Sequence, residues 1–248
     1  MPLTPPDRPP DPVRQLSLFG AEAADPSVAD LAGLLAGPGE LVRMGGTARL
    51  SIVVDAAWRV HVLVAELARR GLAATWEATA DQRHLVRTSY ASTLAPLTLA
   101  WFHDPPPLAA PPPLAPAAPA APAPSPGLAA PAPGLAAPAP GLAAPAPGPV
   151  KRPPAGFHLN GRRLRLWVAA AGKSDPPGFL LRLGADDEAC REPVGAALAA
   201  VGLPAALLDA EAGGPAYRIT GRRRLARLAD LIGDPPPTAP PLAWPHHP

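Results

Sequence analysis

Apolar residues at Val28, Leu31, Leu34 and Leu35 fall on one side of a 3.6-residue period, which predicts a helix over residues 28–36. Gly37-Pro38-Gly39 stops it, because proline cannot continue a helix and glycine readily ends one. The rhythm then changes to alternation over 40–44 and 47–54, two strands joined by Gly45-Gly46, a two-residue hairpin signal. Asp55 is placed to cap the next helix, 56–70, whose Val60, Leu63, Val64 and Leu67 share a face and which ends at Gly71. A second hairpin is predicted over 73–78 and 84–90. A short helix over 93–102 follows, with Pro96 in its first turn. The order is αββαββα.

After a long stretch without periodicity the order returns. Leu164, Leu166 and Trp167 mark a helix over 162–171, followed by a strand over 179–183 and a helix over 193–201 that ends at Gly202. Asp187, like Asp55, is read as the cap of the helix after it. Residues 205–208 and 216–220 form a hairpin around Gly213-Gly214, and 222–232 is a helix with Leu225, Leu228 and Ile232 on one face. The strand due between the first helix and Phe179 is missing or very short. The expected fold class is α+β: two αββαββα repeats, the second lacking a strand, in one pseudo-two-fold domain around a central helix pair.

Composition sets the boundaries. Pro makes up 41 of 248 residues, about three times the usual share. Eighteen of them lie between Pro105 and Pro149, in a segment with three tandem GLAAPAP copies starting at Gly127, Gly134 and Gly141. Such a segment carries too little bulky apolar surface to offset its ordering entropy and reads as a semi-stiff spacer that loops out. The organisation is therefore a tail (1–26), a first repeat (27–103), a linker (104–150), a second repeat (151–234) and a tail (235–248). A single cysteine, Cys190, excludes an intramolecular disulfide framework and a cysteine-based zinc site. No apolar run reaches membrane-spanning length, and the first twenty residues lack the apolar core of a secretory signal, so a cytoplasmic and possible nucleoid location is expected.

The segment Leu31-Ala32-Gly33-Leu34-Leu35-Ala36-Gly37-Pro38-Gly39 resembles the LAGLIDADG motif of homing endonucleases, on the first helix of an αββαββα unit. Leu164-Arg165-Leu166-Trp167-Val168-Ala169-Ala170-Ala171-Gly172 stands at the matching place in the second block. In that family the acidic residue before the last glycine of each motif holds divalent metals that activate water. Here those positions are Pro38 and Ala171, and neither offers the oxygen donors that Mg²⁺ needs. The resemblance thus implies a protein without catalytic residues, metal or cofactor. It is similar to the degenerate domain of the WhiA-type sporulation regulators of actinobacteria, though the helix-turn-helix found there is not evident. The Arg and Ala bias suits a GC-rich source.

Gln15-Leu16-Ser17-Leu18-Phe19 resembles the peptide by which bacterial replication and repair proteins dock on the DNA polymerase sliding clamp. Gln15 and Ser17 would make polar contacts, while Leu16, Leu18 and Phe19 would fill an apolar cleft. Two arginine clusters are the candidate nucleic-acid contacts. Arg162, Arg163 and Arg165 open one helix, and Arg222, Arg223 and Arg224, with Arg218 before and Arg227 after, open another. Positive charge at a helix N-terminus opposes the macrodipole and suggests an anionic partner. A solvated face paired with Asp186, Asp187, Glu188, Asp209 and Glu211 accounts for the clusters equally well. The net charge of +2 allows weak binding at most. Gly172-Lys173-Ser174 lacks the earlier glycine and the following helix of a phosphate-binding P-loop. The histidines have no metal-ligand spacing, and Trp58, Trp76 and Trp167 are read as core. The function expected is a non-catalytic accessory protein of DNA metabolism that docks on the sliding clamp and binds DNA weakly. The alternatives are a sequence-specific transcription regulator of WhiA-like type and a divergent endonuclease with relocated carboxylates.

Overall fold

In a computed structural model, which describes residues 20–21, 25–103, 149–209, 211–212, 214–240 and 242–245, the strand Thr47–Val54 buries Ala48, Leu50, Ile52 and Val54 and leaves the residues between them partly open. That alternation lays one face of a sheet on helices. The chain enters through a 3-10 turn (Val28–Leu31) that runs into the short helix α1 (Ala32–Ala36). Then come β1 (Glu40–Met44), β2 (Thr47–Val54), α2 (Ala57–Ala68), β3 (Ala74–Ala78), β4 (His84–Thr88) and α3 (Ala95–Trp101), with Pro96 in the first turn of α3. The four strands are antiparallel in the order β1-β2-β4-β3.

Two short strands, β5 (Phe102–His103) and β6 (Val150–Lys151), pair antiparallel and lead into the second half. It consists of α4 (Gly161–Ala171), β7 (Gly172–Asp175), β8 (Gly178–Arg182), α5 (Glu188–Ala200), β9 (Ala206–Leu208), β10 (Ala216–Thr220) and α6 (Arg222–Ile232). Its sheet runs β7-β8-β10-β9, the same permutation as the first. The strand read as missing is therefore present: β7 follows α4 directly and pairs with β8 from Gly172↔Leu181 to Asp175↔Gly178. It was illegible because it is an edge strand with one buried residue, Gly172, and no apolar side chain.

Other expectations need correction. Helix α5 begins at Glu188 rather than 193, carrying Pro193 inside it. Neither Asp55 nor Asp187 caps a helix with its side chain: Asp55 bonds Arg59, and Asp187 accepts from Lys151 and from the Gly184 N–H. Trp76 is 54% exposed and meets His84 edge-to-face, whereas Trp167 is fully buried. Part of the C-terminal tail packs on the fold. Trp244 is buried, donates to the Gly233 carbonyl (3.1 Å) and lies under the Arg165 guanidinium (5.1 Å to the ring centre). Residues 1–19, including Gln15 to Phe19, residues 22–24 and residues 104–148 lie outside the described residues.

The centre of the fold is the crossing of α1 and α4. Leu31, Leu34, Leu35, Leu164, Trp167 and Val168 are fully buried there. Gly33 on α1 and Gly37 at its C-terminal cap permit the approach. A Cβ on Gly33 would overlap the carbonyl and Cα of Arg163, and one on Gly37 would come within 2.6 Å of the Trp167 indole. The Asn160 side chain caps α4 by accepting from Arg163 N (3.0 Å).

Beside this crossing lies a buried ionic network. Arg70 donates to Glu66 Oε2 (2.7 Å), to Asp30 Oδ2 (3.1 Å) and to the Ser27 carbonyl (3.0 Å), and the three charged side chains are at most 10% exposed. Arg162 reaches the same cluster, 3.9 Å from Asp30, and Arg165 lies 3.9 Å from Glu66. The network ties the turn before α1 to α2 and α4.

The β5–β6 ladder pairs His103 with Val150, so the ends of the Pro-rich segment meet on neighbouring strands. Replacing residues 104–149 with a short Gly/Ser turn is expected to leave thermal stability unchanged or to raise it by up to about 2 kcal/mol, the saving in loop-closure entropy. Thermal unfolding of the shortened chain checks this, and a large loss would contradict the separation of linker from fold.

Candidate nucleic-acid interface

The two arginine clusters fare differently in the fold. Arg162 is 7% exposed: its Nε donates to the Ala21 carbonyl (2.8 Å) and its Nη1 to the Asp25 carbonyl. Arg163 lies over Phe157 and donates to the His158 carbonyl, and burial lowers its pKa from the usual guanidinium value. Arg165 donates to the carbonyls of Ile232 (2.6 Å) and Asp234 (2.7 Å). This cluster therefore staples the chain ends to α4. The helix tolerates it because each guanidinium finds carbonyl or carboxylate partners within the fold, which leaves it fewer donors for an outside phosphate.

The second cluster stays on the surface. Arg222, Arg223, Arg224 and Arg227 are exposed along α6. Arg224 makes a long bond to the Thr220 carbonyl (3.5 Å), and Arg227 donates to the Val201 carbonyl (2.6 Å). None of the four has a carboxylate partner among the described residues, so the charge is not neutralised. Arg218 lies on β10 and pairs with Asp175 (2.9 Å).

Strand register adds residues that no local pattern pointed to. Phe179, Leu181, Tyr217 and Ile219 face the core, so their neighbours face outward. Lys173 and Arg218 both stand opposite Leu180, and Arg182 lies two residues along β8 on the same face. That outer face carries three cations, Lys173, Arg182 and Arg218, against Asp175. The outer face of the first sheet is mixed: Arg87 pairs with Glu77 (2.7 Å), and Arg49 lies over Tyr90.

Between the two sheets, where α4 ends, is a cleft of about 410 Å³. Its cations are Arg59, Arg83, Lys173 and Arg182, and its one carboxylate is Asp55. Pro38 and Ala171, the two positions that would be acidic in a LAGLIDADG endonuclease, are in its wall. Arg59 comes from α2, in the first half, and closes the end of α4, in the second. It donates to the carbonyls of Val168 (3.1 Å), Ala169 (2.9 Å) and Gly172, and to Asp55 (2.8 Å). Its burial lowers its pKa, with Asp55 opposing that shift and Arg182 adding to it. The end of α1 is treated alike: Lys151 Nζ donates to the Gly37 carbonyl (2.7 Å) and to Asp187 (2.5 Å). Each central helix thus ends on a cation held by a carboxylate from just before α2 or α5, which suits the negative end of the helix dipole.

These residues do not fit a divalent cation. A proline and an alanine supply no side-chain oxygen, the one carboxylate is engaged by Arg59, and the other charged residues of the lining are cationic. Among the described residues no three His, Cys, Asp or Glu side chains cluster as metal ligands. Cys190 is buried, donates to the Lys151 carbonyl (3.4 Å) and has its thiol pushed up to about 11 by burial, which makes it a poor nucleophile. No described helix is long and apolar enough to cross a membrane.

No protein-family model matches the sequence, and no curated protein matches it. Among solved structures the fold is similar to the crystal structure of I-DmoI in complex with DNA and Mn, at 13% identity and a TM-score of 0.39, over 83% of this chain and 96% of that one.

Proposed function

We propose that this protein is a non-cleaving, nucleic-acid-binding accessory protein of DNA metabolism, tethered to the DNA polymerase sliding clamp through Gln15, Leu16, Ser17, Leu18 and Phe19. We infer further that its halves are degenerate LAGLIDADG-like units, as the motif resemblance and the shared strand permutation suggest. The observation that carries the binding function is the run Arg222-Arg223-Arg224, exposed at the start of α6 with no carboxylate neutralising it. Three guanidinium groups set against the positive end of a helix dipole destabilise the free protein slightly and favour a phosphate-bearing partner. Pro38 and Ala171 at the helix ends, with Arg59 and Lys151 bonded to the neighbouring carbonyls, support binding without cleavage.

Anisotropy titration of a short duplex tests this reading. Changing Arg222, Arg223 and Arg224 together to Gln is expected to weaken binding roughly tenfold and to reduce the salt slope by up to about three, one per lost phosphate contact. Unchanged affinity and slope would reject α6 as the interface.

The clamp tether rests on the peptide's composition and on its anchorage. Just beyond Phe19, the Ala21 N–H donates to the Leu231 carbonyl (2.9 Å), and Arg162 holds the Ala21 carbonyl. The chain before that point starts from a fixed place on the fold. Purified clamp is expected to retain the wild-type chain in a pull-down and to lose it on Leu18→Ala with Phe19→Ala. Undiminished retention of the double variant, or none of the wild type, would reject the tether. Sequence-selective binding would favour the regulator reading, and Mg²⁺-dependent nicking the divergent endonuclease.

A further inference from the structure

We propose that the cleft at the end of α4 is a binding site for a small phosphorylated anion of about mononucleotide size. Lys173 and Arg182 are its ligand-facing groups. Both line the cleft, both are exposed, and neither has a hydrogen-bond or ion-pair partner for its side-chain charge among the described residues. Register places them on one face of the second sheet, within reach of a single ligand.

Arg59 is the positioning residue. The carbonyl end of α4 would repel an anion, but the Arg59 guanidinium covers it by bonding to Val168, Ala169 and Gly172, and also occupies Asp55. Arg182 is close enough to Arg59 to bear on its pKa, and while Asp55 offsets Arg59, no carboxylate among the described residues pairs with Lys173 or Arg182. Such an arrangement is relieved by a bound anion, and a guanidinium beside an ammonium suits a phosphate group. Arg83, already paired with Asp81 (2.5 Å), lines the cleft from the first half, so the ligand would sit between the two halves.

The cleft is small. About 410 Å³ lies in the range of small-molecule sites, roughly 300–1,000 Å³. Its wall also includes the small residues Ala171, Gly172, Gly184, Ala185 and Gly214. The same phosphate chemistry is offered by a free nucleotide and by a nucleic-acid backbone, and the small volume of the cleft favours the free anion. This site is independent of the α6 surface invoked above.

Calorimetric titration with inorganic pyrophosphate and with adenosine triphosphate tests the proposal on the full chain. The wild type is expected to bind at least one of the two, and Lys173→Gln with Arg182→Gln to weaken that binding at least tenfold without lowering the melting temperature. A fluorescent duplex separates the sources. Anion binding that does not displace the duplex supports a free ligand, and displacement together with tenfold weaker duplex binding by the double variant supports a backbone phosphate. The arginine-to-glutamine variant of α6 should lose duplex and keep pyrophosphate, so the two proposals fail separately. If neither anion binds and the duplex affinity of the double variant equals that of wild type, the site does not exist. An anion affinity that the double variant leaves unchanged overturns it equally.

Discussion

Replacing Arg70 with Met is expected to cost about 3–5 kcal/mol, the usual penalty for breaking a buried ion pair from one side. The reason is what stays behind. Glu66 and Asp30 are at most 10% exposed, and Arg70 is the guanidinium that bridges them at 2.7 and 3.1 Å. Met matches the length and apolar stem but offers no donor, so two carboxylates would share an apolar neighbourhood. Arg162, 3.9 Å from Asp30, and Arg165, 3.9 Å from Glu66, are too far to take over without moving. Arg69 supplies the control. It also bonds Glu66 (3.0 Å), but its side chain is 64% exposed, and Arg69→Ala should cost well under 1 kcal/mol. Denaturant midpoints for the two variants check the contrast, and equal midpoints would show that the network is not stabilising.

Gly33→Ala should destabilise by about 3 kcal/mol or more. Its single added methyl would lie within 2.6 Å of the Arg163 Cα and overlap that residue's carbonyl. Backbone cannot rotate away as a flexible side chain can, so α1 and α4 must separate, and everything buried in their crossing loosens with them. At this chain length each kcal/mol moves the melting temperature by about 2–4 °C, so a drop of roughly 6–12 °C is expected by calorimetry. Gly46→Ala is the matched control, since a Cβ there meets nothing within 4 Å. A melting temperature for Gly33→Ala within a degree or two of wild type would mean that the helices do not pack backbone to backbone.

Much of the fold was readable because burial imposes periodicity on the chain. The alternation in 47–54 survives as β2, and the apolar spacing of 222–232 survives as α6, since each has one face on the core and one in water. Elements without that contrast were hidden. Strand β7 buries only a glycine, and the segment around Trp244 is ordered by partners at Gly233 and Arg165 that no local pattern announces. Polar partnerships across the chain were harder still. Arg59 and Lys151 bond carbonyls more than a hundred residues away, at Val168, Ala169, Gly172 and Gly37, and nothing within a few residues of either foretells this. The arginines at the start of α4 could not be placed for the same reason: their charge suggested a phosphate or an acidic neighbour, and Asp30 and Glu66 are near them only in space. The Glu66 and Arg70 spacing of four on one helix was the one legible sign of that network. Lys173 and Arg182 come together only through the β7–β8 register, which requires the strand that the sequence concealed.

The central claim is that the chain binds nucleic acid without cutting it. Incubating the wild-type protein with supercoiled plasmid in Mg²⁺, and separating the products before and after deproteinisation, tests both halves at once. The expected result is retardation at low salt that disappears by roughly 200 mM, as phosphate-dominated binding requires, with the plasmid still supercoiled once the protein is removed. Nicked or linear plasmid, or no retardation even at low salt, would contradict the claim.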